Sequence, residues 1–371
     1  MNRRQLFPVL GAAVLPFAAR PLFAAAPAPG VSAEAHSIYE RALVFDANLA
    51  PPLPDDLPYP AALADMVRNS GVTAVKTSLG GSGESFEDTI TEIAYFQRLI
   101  EAVPDLFLQV RAAADFERAK RERRFGIVFS FESTNMLDGK LERIELFRNL
   151  GVRVMQLSYN KTSPFAAGVM ADPPTGLTEL GHKAVAAMNK EAIAIDISHA
   201  NAATSADVLA ASTVPVLITH AGVTAVHAHP RNKPDALLRA VADKGGCVGI
   251  YDLPYLTASP KQPTLDDYVA HLTHALEICG EDHVGIGSDS GLEPWDLSEK
   301  GMEAFRKMTE DRQKAGVAAP EEDRPMYVIG LNTPRRSEVI ADALLKHGYS
   351  ARVAEKVLGL NFIAALTRIW G

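Results

Sequence analysis

Cysteine is scarce: Cys247 and Cys279 are the two in 371 residues. They stand far apart with no C-x-x-C spacing, which argues against a thiolate metal site and a disulfide framework. One bridge between them is still allowed in an oxidising compartment. Basic charge is also short, with 37 Lys and Arg against 45 Asp and Glu and a formal net charge of −8. That balance argues against nucleic acid or an anionic membrane surface as partner. No strand-like run is followed by G-x-G-x-x-G, which removes the dinucleotide-binding fingerprint. The apolar stretch near the N-terminus is broken by Arg20 and is shorter than a comfortable bilayer span. No Cys follows that stretch to carry a lipid, so no stable membrane anchor is expected.

What is present at the N-terminus reads as an address. Arg3 and Arg4 precede an apolar run that ends in the small residues of LFAAA (22–26), the pattern of a secretory signal. The paired arginines point to the twin-arginine route and hence to a periplasmic protein. Residues 1–26 are therefore expected to be removed, leaving 27–371 as one domain.

The remainder is ordinary globular sequence, 47% hydrophobic and 22% charged. Eight short apolar runs lie at 42–48, 72–79, 126–133, 152–160, 192–200, 214–222, 246–252 and 283–290. Amphipathic helical stretches separate them, for example 88–103, 141–150, 178–189 and 264–280. Strand alternating with helix implies βα units and a parallel sheet. Eight units suggest an α/β fold, a single (β/α)8 TIM-like barrel, over the doubly wound alternative. The run LFLQV (106–110) leaves room for one extra short strand. The long, weakly patterned stretch 291–335 is a candidate active-site cover.

The polar residues that close these runs carry the chemistry. IAIDISHA (193–200) ends on Ser198 and His199, and alone that histidine reads as a satisfied strand cap. The other runs, however, end in Asn48, Ser78, Glu132, Tyr159, His220, Asp252 and Asp289. In a parallel barrel those ends share one rim, where active sites are built. Glu132, His199 and His220 form a ligand set suited to catalytic zinc, with Asp289 as a fourth ligand or as the base. Arg231, followed by Asn232, is placed to grip a substrate carboxylate. His227 and His229 lack strand support and are read as structural or exposed.

Together these pieces resemble the renal or membrane dipeptidase family (peptidase family M19), metallopeptidases of the amidohydrolase superfamily. The resemblance runs from about residue 36 to 371. It rests on FSFES around Glu132, GVRVMQLSYN (151–160), AIDISHA, VPVLITHAG, RNKPDALLRAV, VGIGSD and LGLNFIAAL (358–366) in that order. It implies a barrel of the metal-dependent hydrolase type with a binuclear zinc site that cleaves dipeptides. Glu132 would be the bridging carboxylate, His199 and His220 the histidines of one zinc, and Asp289 ligand and proton acceptor. Arg231 would meet the substrate carboxylate. In two places the chain departs from the family. The first strand reads VFDANLA where the family has D-G-H-x-D, so Asn48 and Ala50 replace a ligating His and Asp. Tyr159 stands where some members use a His to steady the tetrahedral intermediate, and its hydroxyl suits that task. One tightly bound zinc with a second held weakly is therefore expected. The expected partner is a small dipeptide-like substrate, and a homodimer is allowed. The alternatives are a related amide or lactam hydrolase, a maturation enzyme for a secreted peptide, and a non-catalytic barrel that keeps the pocket.

Overall fold

The computed structural model describes residues 26–54, 57–81 and 85–371. The expected signal segment, apart from Ala26, lies outside them. Eight parallel strands close into a barrel: β1 (Phe45–Asp46), β2 (Ala74–Ser78), β3 (Phe125–Phe131), β4 (Val152–Met155), β5 (Ala194–Asp196), β6 (Val216–Ala221), β7 (Val248–Ile250) and β8 (Val284–Ile286). Closure is made twice over. β1 pairs with β8 through Asp46 and Ile286 and with β2 through Phe45 and Ala74, and β2 pairs with β3 along its whole length. Each strand falls within one of the eight apolar runs, β3 beginning one residue earlier than its run. The LFLQV segment supplies a ninth, short strand, Phe107–Gln109, which pairs only with the start of β3. It adds to the lower edge of the barrel and does not enter the ring.

Strand parity explains the interior. Phe45, Ala74, Val128, Val154, Ala194, Leu217 and Cys247, one from each of seven strands or its start, form one apolar layer at the floor. The helix Asn361–Trp370 plugs that floor with Phe362, Leu366 and Ile369. Phe362 meets Phe45 edge-on at 6.0 Å, and Trp370 stacks on Phe116 at 6.0 Å. The Asn361 side chain fixes the helix start by donating to the carbonyls of Glu281 and Val284 at 2.8 Å each. Two residues further along five of these seven the same inward face turns polar, carrying Lys76, Ser130, Gln156, Asp196 and Thr219. The floor is therefore dry and the opposite rim chemical.

β6 is irregular where this matters. Its pairing with β7 shifts between Ile218 and Ala221, flanking His220. A shift of this kind re-aims a side chain. It also drives the Thr219 carbonyl across the barrel, so that a Cβ at Gly249 or Gly287 would lie 2.1 or 1.8 Å from that oxygen. Glycine is required at both positions. The two cysteines are free and buried, and burial raises both thiol pKa values. Among the described residues no helix is long and apolar enough to cross a membrane.

If the C-terminal helix is the floor of the barrel, Phe362→Ala should cost about 3–5 kcal/mol, the usual range for emptying a buried aromatic site. Chemical denaturation of the pure variant measures this directly. A loss below about 1 kcal/mol would assign the helix to a peripheral position.

Candidate functional site

Glu132, His199 and His220 come together at the rim, their ligand atoms all within 4.8 Å of one another. Each follows or ends a different strand, so the barrel itself sets their spacing. His199 is anchored at Nδ1, 2.7 Å from the Asn160 side-chain oxygen. An amide oxygen only accepts, so Nδ1 carries the proton and Nε2 keeps its lone pair. His220 is fixed by a relay. Thr219 Oγ1 donates to Asp196 Oδ2 at 2.5 Å and so accepts from His220 Nδ1 at 2.8 Å. His220 Nε2 is thereby a bare lone pair, buried and without a hydrogen-bond partner among the described residues. His199 Nε2 lies 3.7 Å from Glu132 Oε2 and 3.1 Å from an Arg231 nitrogen. Burial, reinforced by the Arg231 charge, holds both imidazoles well below their ordinary pKa, hence neutral. Two neutral imidazoles and a carboxylate converging around an orphaned lone pair fit a divalent cation.

Asp289 and Asn48 face this set from the β8 and β1 ends. The strand pair Leu49–Ala50 and Ser290–Gly291 runs above the barrel, and Asp289 N–H donates to the Asn48 carbonyl at 2.7 Å. The Asn48 amide nitrogen donates to Glu132 Oε1 at 2.9 Å and to Asp289 Oδ1 at 2.8 Å. Reversing that amide would turn its oxygen onto two carboxylates, so its orientation is settled. Burial and the neighbouring Glu132 push the Asp289 carboxyl up to about 7.

Tyr159 stacks on the His199 ring at 4.0 Å. Burial and then Glu132 raise its hydroxyl to about 12, so it stays a proton donor at neutral pH. Arg231 is buried, donating to the Ser198 carbonyl at 2.5 Å and through Nη2 to His199 Nε2 at 3.1 Å, two of the five N–H groups a guanidinium carries. The Asn232 amide nitrogen donates to the carbonyls of His227 and Tyr255, and its oxygen accepts from the Tyr251 hydroxyl, so its polar groups fasten the loop. Asp252, also at the rim, pairs with Arg336 at 3.1 Å.

Several participants were not singled out from sequence. Asn160, Thr219 and Asp196 set the histidine tautomers, and Arg312 lies beside Tyr159, whose hydroxyl it influences. Lys76 is the fifth: 1% exposed, on β2, with Nζ 4.0 Å from Glu132 Oε1. A lysine at an inward position of an apolar strand was the available signal.

The model of the membrane dipeptidase family, peptidase family M19, matches residues 34–310, well over half of the chain. This chain belongs to the membrane dipeptidase family. It thereby joins a family of peptide-bond hydrolases. It is 27% identical to dipeptidase tcpJ of Claviceps purpurea over 77% of its own length and 60% of that relative's, so it spans less than two thirds of that protein. It is 29% identical to a solved amidohydrolase from Pseudomonas aeruginosa, with a TM-score of 0.78 over 91% of this chain and 99% of that one. A metallopeptidase from Rhodobacter sphaeroides, solved with a phosphinate mimic of L-Ala-D-Ala, shares the fold at 19% identity. That likeness has a TM-score of 0.71 over 88% of this chain and 99% of the other. The family assignment agrees with the barrel and with a metal-binding rim.

The protonation states of this family member's site make metal uptake pH-dependent in a defined way. His199 and His220 are already neutral near pH 6, so they release nothing. Asp289 is protonated below about 7 and loses its proton when a cation arrives beside it. Affinity should therefore rise with pH up to about 7 and then level off. Calorimetry in buffers of different ionisation enthalpy should show about one proton released near pH 6 and none near pH 8. Release of two or more protons at the lower pH would mean that the imidazoles are charged before binding.

Proposed function

We propose that this chain is a zinc-dependent hydrolase of dipeptides, working with one tightly held ion bound by Glu132, His199 and His220. The observation that carries the reading is His220 Nε2, a buried lone pair with no partner, aimed at the two other donors. A divalent ion there would supply Lewis acidity. The remaining steps belong to the chain. Asp289 takes the proton of the attacking water and returns it to the leaving amine. Tyr159 donates its hydroxyl hydrogen to the carbonyl oxygen as that oxygen gains charge. Arg231 clasps the substrate carboxylate with the donors left over from Ser198.

Purified mature protein should hydrolyse members of a dipeptide panel, lose that activity to chelator, and regain it with zinc. Asp289→Asn should lower kcat by about 100- to 10,000-fold while zinc stays bound. His220→Ala should lose both zinc and activity with its circular dichroism unchanged. Turnover that survives chelation, or full zinc content in His220→Ala, would refute the assigned centre.

Export to the periplasm is the companion proposal, supported by Arg3 and Arg4 ahead of the apolar run. Replacing both arginines with lysine should sharply reduce periplasmic yield, and an unchanged yield would exclude the twin-arginine route.

A further inference from the structure

Lys76 is a buried cation whose ammonium nitrogen has no hydrogen-bond partner among the described residues, and its nearest carboxylate oxygen there, Glu132 Oε1, stands at 4.0 Å. The other deeply buried lysine near the site behaves differently: Lys233 Nζ donates to the Ala200 carbonyl at 2.7 Å. A structural lysine is satisfied in that way, because an unbonded buried ammonium is costly. Lys76 persists instead in the field of two carboxylates, Glu132 and Asp289, which are tied together by the single amide nitrogen of Asn48. That nitrogen occupies the bite between the carboxylates, with hydrogens where a cation would need lone pairs.

We propose that Lys76 is the resident cation of this centre: with Asn48 it fills, in charge and in space, the place a second divalent ion would take, so the site accepts one ion only. The inference rests on the metal-dependent reading above. The charge balance supports it. Glu132 and Asp289 together match one divalent ion, and Lys76 and Arg231 already leave the pocket positive. A second divalent ion would find no negative charge to meet it. Ligand loss on the first strand is then half of the device, and replacing those ligands alone does not reverse it. Lys76 acts as a positioning residue through the field it sets, without touching substrate.

The test counts ions. Zinc per chain is measured by elemental analysis after equilibrium dialysis against buffered zinc, and affinity by competition with a chromophoric chelator, with circular dichroism to confirm folding. The wild type should hold one ion. Asn48→His with Ala50→Asp, which offers an imidazole and a carboxylate beside Glu132 and Asp289, should still hold one. Adding Lys76→Met to that pair should raise the count to two. Lys76→Met alone should keep one ion and bind it about tenfold tighter or more, since a nearby like charge is gone. That single variant decides the matter if the triple variant does not fold. A second ion in the pair with Lys76 intact, one ion in the folded triple variant, or affinity in Lys76→Met within about twofold of wild type would each overturn the proposal. No zinc in the wild type is a different result: it refutes the metal centre itself, and this inference falls with it.

Discussion

Two buried aspartates, Asp46 and Asp196, spend their charge on the chain that surrounds them. Asp196 accepts from the backbone N–H and hydroxyl of Ser198 and from the backbone N–H and hydroxyl of Thr219. Asp46 does the same with Asn48 N–H and with the N–H and hydroxyl of Ser288. Each carboxylate locks the end of one strand to the end of its neighbour, β5 to β6 and β1 to β8. His199 and His220 stand on the first junction, Asn48 and Asp289 on the second. Charge-assisted hydrogen bonds of this kind are short and strong, and a donor left unpaired there would be expensive. The rim is rigid because both junctions are satisfied.

From these locks follows the neutrality of the histidines. The Asp196 and Thr219 relay presents His220 as a ligand in advance, and Asn160 does so for His199. A cation arriving there would displace no proton from the imidazoles. The same preorganisation leaves Asp289, raised to about 7, as the neighbouring group whose protonation changes near neutral pH.

Much of this was legible in the sequence for a simple reason. Barrel strands are apolar until they reach the rim, so the residue that ends each run advertises its position. Glu132, His199, His220, Asp289 and Tyr159 were all singled out that way, and the structure gathers the first three around one point. Lys76 was hidden because it lies inside its run, where parity and not sequence order tells which face it serves. Asn232 neighbours Arg231, yet its amide closes hydrogen bonds within the loop, which no sequence pattern announces. The relay through Thr219 could not be read at all, since an Asp and a Thr 23 positions apart meet only through strand pairing. Strand and helix alternation supplied the fold, and the family resemblance supplied the expected metal chemistry. The structure adds the surroundings of the altered first strand, where the Asn48 amide joins Glu132 to Asp289.

The segment that follows the helix Glu299–Lys314 lies across the loops of several strands at once. Asn160 donates to the Val317 carbonyl at 3.0 Å, His229 bonds the Pro320 carbonyl at 2.8 Å, and Glu322 accepts from Tyr255 at 2.6 Å and from Arg312 at 2.7 Å. The same Asn160 orients His199, and the same Arg312 lies beside Tyr159. A roof fastened to the very groups that align the site cannot swing aside without disturbing them. Any displacement of this segment is therefore coupled, through Asn160 and Arg312, to the groups that surround His199 and Tyr159.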